Sequence, residues 1–196
     1  MLDKTERSDP AQMQPERAIA EDQRRSGRQC GACSLCCRVL DVPEVGKPKG
    51  GWCRHCRPGR GCTIHDTRPQ VCRDYDCLWL SWRGLGDEWF PAKSKIVVDI
   101  HPDKLSGNVF LRFNVDPRYP GRWREEPYYS RIKQLALVAL RGELITDRSS
   151  TRTGKVVQTI VTVDDKWTIV LPHRELPYQP GVMLRMGENE FEYRPT

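Results

Sequence analysis

Nine cysteines stand in this chain of 196 residues, and all nine fall between positions 30 and 77. The first four form Cys30-Gly31-Ala32-Cys33-Ser34-Leu35-Cys36-Cys37, a C-x2-C-x2-C-C run; Cys53, Cys56, Cys62, Cys72 and Cys77 follow. A thiol can be half of a disulfide, a metal ligand, or a small buried hydrophobe. An odd count rules out complete pairing, and the opening Met1-Leu2-Asp3-Lys4-Thr5-Glu6-Arg7 offers no apolar export segment. The expected compartment is therefore the cytoplasm, where thiols stay reduced. Two C-x2-C steps and an adjacent pair then favour metal ligation over the other two roles.

The candidate ligands are Cys30, Cys33, Cys36, Cys37, Cys53, Cys62, Cys72 and Cys77, with Cys56 in reserve. A helical turn over 33–40 would put Cys33, Cys36, Cys37 and Leu40 on one face. Neighbours on a helix diverge by about 100°, so Cys36 and Cys37 could feed two metals or two edges of one cluster. Cys53-Arg54-His55-Cys56 repeats the C-x2-C turn. Pro69 suits the first turn of a helix, which would place Cys72 where a helix dipole favours thiolate. His55 and His65 flank cysteines and read as neighbours that donate hydrogen bonds, or as surface side chains. His101 and His173 sit beside prolines, with nothing linking them to the cluster. Zinc would take four thiolates, or three and a histidine; an iron–sulfur cluster would also take four cysteines.

The formal charge is +6, but ligating cysteines are thiolates that the sum leaves out. Eight of them on two divalent ions would leave about +2. Arg38, Arg54, Arg57, Arg60, Arg68 and Arg73 are accordingly read as charge compensation around an anionic site. A nucleic-acid partner is not expected, because no groove-reading motif accompanies the charge. No apolar run approaches the ~20 residues of a membrane span, so no membrane partner is expected either.

Residues 1–26 are polar and read as a disordered tail. Residues 27–82 read as a small irregular cysteine-rich domain, with the loop 42–51 letting the chain fold back between its first four and last five cysteines. Leu78 to Trp82 and Trp89-Phe90 concentrate aromatics that would pack over the metal region and seal it from water. Residues 83–196 read as an α+β domain of unassigned role. Strands are expected at 95–100, 108–115, 155–163, 166–171, 182–186 and 190–193, with turns at Ser106-Gly107, Asp164-Asp165 and Gly187-Glu188-Asn189. One main helix is expected from Tyr128 to Arg141, since Ile132, Leu135, Ala136, Ala139 and Leu140 recur at helical spacing. That order suggests a mostly antiparallel sheet, not alternating β-α units.

The opening C-x2-C-x2-C is similar to the start of a bacterial ferredoxin run, but Cys37 follows at once, without the three-residue gap and proline of that pattern. The closer likeness continues through Gly61-Cys62-Thr63-Ile64-His65 and Arg68-Pro69-Gln70-Val71-Cys72-Arg73-Asp74-Tyr75-Asp76-Cys77. Over residues 30–80 the chain resembles the YkgJ-type cysteine-cluster proteins, described as a zinc- or iron-chelating domain. Cys53 fits that family's isolated cysteine, His65 stands where it usually has tyrosine, and Cys56 is extra to its eight-cysteine pattern. The resemblance implies chelation of zinc or iron and no settled reaction. Flagellin lysine methylases carry a similar cysteine run, which makes an iron–sulfur-dependent enzyme the second expectation; a zinc-scaffolded protein-interaction module is the third. The sequence holds no Gly-rich nucleotide fingerprint after a strand, no G-x-S-x-G and no H-E-x-x-H.

Overall fold

The chain is described by a computed structural model covering residues 27–102, 109–141, 145–146, 154–178, 182–186 and 191–195. The tail at 1–26 and the turns at 106–107 and 187–189 lie outside the described residues. From Gly27 to Trp82 the elements are short. Helix α1 is Cys36–Val39, strands β1 Cys56–Arg57 and β2 Gly61–Cys62 pair antiparallel, and helices α2 Gln70–Arg73 and α3 Leu78–Ser81 follow. The helix expected over 33–40 shrinks to one turn. Cys33 instead belongs to the preceding turn, its amide donating to the Cys30 carbonyl at 3.0 Å. At the other end Leu40 is already extended (φ −89°, ψ 152°). Leu35 precedes α1 without a capping side chain, so nothing extends the helix toward Cys33. Pro69 takes the N-cap of α2, one place before the first turn.

The second region is built on period-2 strands and one amphipathic helix. Helix α4 (Pro91–Ser94) leads into β3 (Ile96–Pro102), which pairs antiparallel with β4 (Val109–Val115). Helix α5 (Tyr128–Leu140) buries Tyr128, Ile132, Leu135, Ala136 and Ala139, the stripe that three- and four-residue steps place on one face. After the two-residue β5 (Ile145–Thr146) comes β6 (Gly154–Val163), then β7 (Lys166–Val170) and β8 (Glu175–Pro177). The sheet order is β3-β4-β6-β7-β8, with β5 beside β6, and every pair is antiparallel except β4–β6. The fold is thus α+β with a mostly antiparallel sheet and one main helix. One β-α-β unit is nevertheless present: α5 carries the chain from β4 to its parallel neighbour β6, as a parallel pair requires. Strands β9 (Val182–Met186) and β10 (Phe191–Pro195) form a separate antiparallel pair. No described helix is long and apolar enough to cross a membrane.

The two regions share one hydrophobic cluster. Leu35, Val39, Cys77, Leu78 and Trp79 join Val98, Leu111, Phe113, Ile132, Leu135 and Val161 in it. Trp89 is 1% exposed, with ring centroids 5.6 Å from Phe113 and 5.0 Å edge-on from Tyr128. The aromatics after Cys77 therefore pack between the cysteine region and the sheet. Polar ties reinforce the join. Arg38 donates to Asp116 at 3.0 Å, and the Tyr75 hydroxyl to Asp99 at 3.3 Å, where Arg112 already forks onto both carboxylate oxygens at 2.9 Å. Gly50 (φ +71°) lies against the β6–β7 turn so closely that a Cβ there would stand 2.3 Å from Asp164 Oδ1. Glycine is what lets this loop seat.

Candidate metal centre

Backbone turns, not long elements, deliver the sulfurs. The Cys30–Cys33 turn sets the first two, and α1 carries Cys36 and Cys37. The Cys53 amide donates to the Cys37 carbonyl at 2.9 Å, bringing the second C-x2-C step beside the first run. Within that step the Cys56 amide donates to Cys53 at 2.9 Å, and the β1–β2 register sets Cys56 opposite Cys62. Helix α2 carries Cys72, and Cys77 caps α3. All nine are free thiols.

Cys30, Cys33, Cys36, Cys37, Cys53, Cys62 and Cys72 line one cavity of about 250 Å³. His55, His65, Lys47, Arg68 and Tyr75 share its wall. Cys56 and Cys77 do not; Cys77 is buried in the hydrophobic cluster instead. His101 packs against the Trp167 ring at 5.5 Å and His173 is exposed, so neither belongs to this wall. In the rotamers present, among the described residues no three His, Cys, Asp or Glu side chains are arranged to hold an ion. The donor set suits a thiophilic cation, since seven thiols from four chain segments face the same space.

The protons are unevenly held. The Cys36 thiol donates to Cys37, as does that of Cys56; these hydrogen bonds and the nearby Lys47 ammonium outweigh burial and bring Cys37 down to about 6. Cys37 is thus pulled toward thiolate, the form a metal takes. Donating that hydrogen bond, with burial and the charges of Cys37, Cys30 and Cys33, raises Cys36 well above the ordinary thiol value. Burial and Cys37 push Cys56 up to about 12, against a hydrogen bond from Ser34. Burial raises Cys30 and Cys33 and pushes Cys77 up to about 11. Cys72 is also raised, by burial and by Cys37, Cys53 and Cys62. The expectation of a helix dipole favouring its thiolate is thus overturned: Cys72 is the third residue of a four-residue helix, too short for a useful dipole.

The positive charges are not where the arginine count suggested. Arg38 is taken by Asp116, and Arg54 donates to the Val45 carbonyl at 2.8 Å. Arg57, Arg60 and Arg73 are exposed, and neither they nor Arg54 line the cavity. Of the six, Arg68 alone is in the wall. The missed residue is Lys47, 4% exposed, whose ammonium donates to the carbonyls of Arg38 (3.1 Å), Pro48 (3.0 Å) and Leu40. Burial lowers its pKa, against the pull of Cys37 and Cys53. Sequence offered only a lysine between Gly46 and Pro48, which reads as a solvated loop residue. Ser34 was also underrated: it is buried, accepts from the Gly59 amide at 3.2 Å and donates to Cys56.

Comparison of the chain with protein-family models, with curated proteins and with solved structures returns no match.

Proposed function

We propose that this chain binds zinc or iron through its cysteines, and that the bound metal takes the place of a local apolar core. The observation that carries the reading is the single cavity walled by seven thiols drawn from positions 30 to 72. The burial pattern supports it. Between Leu40 and Asp76 one residue is buried, and it is Lys47. A segment of that length with no apolar interior must be ordered by something else, and structural zinc supplies on the order of 10 kcal/mol or more of folding free energy. The likeness of the cysteine run to zinc- or iron-chelating YkgJ-type proteins points the same way, and a reducing cytoplasm would keep the thiols available.

The cavity's about 250 Å³ is more space than a single ion fills. That observation keeps an iron–sulfur cluster, with or without an enzymatic role, beside zinc as the occupant. Anaerobic purification followed by metal and sulfide analysis separates the two. Zinc in a colourless protein selects the structural ion; iron with sulfide in a brown protein selects the cluster. Unmodified thiols with neither metal would overturn the reading.

A further inference from the structure

We infer that Cys56 and Cys62 are a redox-modification site: a small external disulfide oxidises them to a cross-strand disulfide, and that bond withdraws Cys62 from the cavity. The pairing itself rests on the β1–β2 register. Its consequence, release of the bound ion, rests on the reading that the cavity takes a thiophilic cation.

The backbone sets the geometry. Cys56 stands directly opposite Cys62, and Arg57 opposite Gly61. The Thr63 amide donates to the His55 carbonyl at 2.8 Å, whereas the Cys56 amide turns away to the Cys53 carbonyl at 2.9 Å. The ladder bond thus falls at 55 and 63, and by the alternation of an antiparallel pair 56 and 62 form a non-hydrogen-bonded position. There the side chains leave on one face and lie closest, with Cα atoms about 4.5 Å apart. That separation is inside the ~4.4–6.8 Å a disulfide spans. The tip of the hairpin is held as well: the Arg60 amide donates to the Arg57 carbonyl at 2.8 Å, and the Gly59 amide to Ser34 at 3.2 Å. Among the described residues no other two of the nine cysteines face each other across paired strands.

The two sulfurs differ in what they face. Both are free and partly exposed, but Cys62 lines the cavity with six other cysteines and Cys56 does not. The co-reactant is a low-molecular-weight disulfide such as oxidised glutathione. One sulfur of the pair attacks it as thiolate, giving a mixed disulfide and releasing one glutathione. The other, held opposite, attacks the protein sulfur of that bond and releases the second glutathione. The protein gives up two electrons, and its two protons leave on the two glutathione thiols. Oxidised glutathione is anionic, and the stretch from Cys53 to Cys62 offers it Arg54, Arg57 and Arg60 and no acidic residue. A metal takes thiolate, so closing the pair removes one of the seven sulfurs in the wall and weakens the hold on a cation.

The test uses the full chain, stripped by chelator under reductant and then equilibrated with oxidised glutathione. Free thiols are alkylated and the protein is cut with trypsin, which separates the pair at Arg54 and Arg60 and leaves the Arg57–Pro58 and Arg68–Pro69 bonds intact. The first product should be peptide 55–60 joined to peptide 61–73, with Cys72 alkylated. Zinc-loaded protein under the same oxidant should release zinc to a chromophoric chelator in step with that linkage, and Cys56→Ser should keep its zinc. Cys56 joined to Cys53 or Cys37, or left unlinked, would overturn the pairing. The 56–62 linkage with zinc retained, or zinc lost as fast from Cys56→Ser, would overturn the consequence and leave the metal-binding reading standing. The linkage in a chain that takes up no zinc or iron would overturn that reading and leave the pairing standing.

Discussion

The two regions of this molecule solve the problem of ordering a chain in opposite ways. From Ile96 onward, β3, β4, β6 and β7, of five to ten residues each, and a thirteen-residue helix enclose a core of Val98, Leu111, Phe113, Ile132 and Val161. Before Trp82 the helices run four residues and the strands two. Their apolar anchors, Leu35, Val39, Cys77, Leu78 and Trp79, lie only at the two ends of the region, where it meets the sheet. Its middle is a loop of chain around thiols and one buried ammonium. Burying a large apolar side chain contributes about 1.5–3 kcal/mol, and residues 41–76 forgo that term almost entirely. What holds their place must be polar or ionic.

Metal removal should break the comparison most visibly. On the proposed reading, chelation under reductant withdraws on the order of 10 kcal/mol from the cysteine region alone. Trypsin should then cut at Arg54, Arg60 and Arg73, bonds that a region ordered by metal should resist cutting, while the sheet and α5 survive as a resistant fragment. Limited digestion followed by mass spectrometry reads the outcome. An unchanged cleavage pattern after complete metal loss would mean that the region orders itself without an ion.

The complementary experiment attacks the sheet. Trp89 is wedged between Phe113 and Tyr128 in the shared core. Trp89→Ala should destabilise the protein by about 3–5 kcal/mol, seen as a lower urea midpoint. Metal content per folded molecule should be unchanged, because no ligand is touched. Loss of metal from folded Trp89→Ala would show that the two regions are one cooperative unit down to the thiols.

The same contrast explains which parts could be read in advance. The longer strands and the helix from Ile96 onward follow from local periodicity, and Val109–Val115 and Tyr128–Leu140 lie within a residue of where alternation and helical spacing put them. The short strands β5 and β8 were not expected, because two or three residues show no period. The β4–β6 pairing was not legible, because parallel partners are chosen by the crossover helix and not by either strand's own pattern. In the cysteine region, the confinement of thiols to 30–77 pointed to metal ligation at one centre or two, and seven of the nine cysteines line one cavity. Which cation faces them was hidden. Lys47 is buried because three carbonyls converge on it from a folded-back loop, a consequence of tertiary structure with no sequence period. Arg38 looked like a partner for thiolates, yet Asp116, distant in sequence, claims it.

That last pair is one of the polar ties between the two regions, and its acid sensitivity gives the smallest effect. The Asp116 side chain is 0% exposed and bonded to Arg38 at 3.0 Å and Arg118 at 2.7 Å. Burial alone would raise its carboxyl, but the hydrogen bonds from Arg118 and Arg38 win and hold it below the usual carboxylate range. A carboxyl lowered on folding stabilises the native state fully above the unfolded value of about 3.9, and the contribution drains away as pH falls through the lower native value. Asp116→Asn keeps the shape and loses the charge, so it should cost about 1–2 kcal/mol at neutral pH. The gap from wild type should close on acidification, because the wild-type carboxyl becomes protonated too. Urea unfolding followed by tryptophan fluorescence across the acid range measures it. A gap that stayed constant at every pH would mean that Asp116 acts through shape alone, and that the two regions are joined by their shared apolar cluster without help from this ion pair.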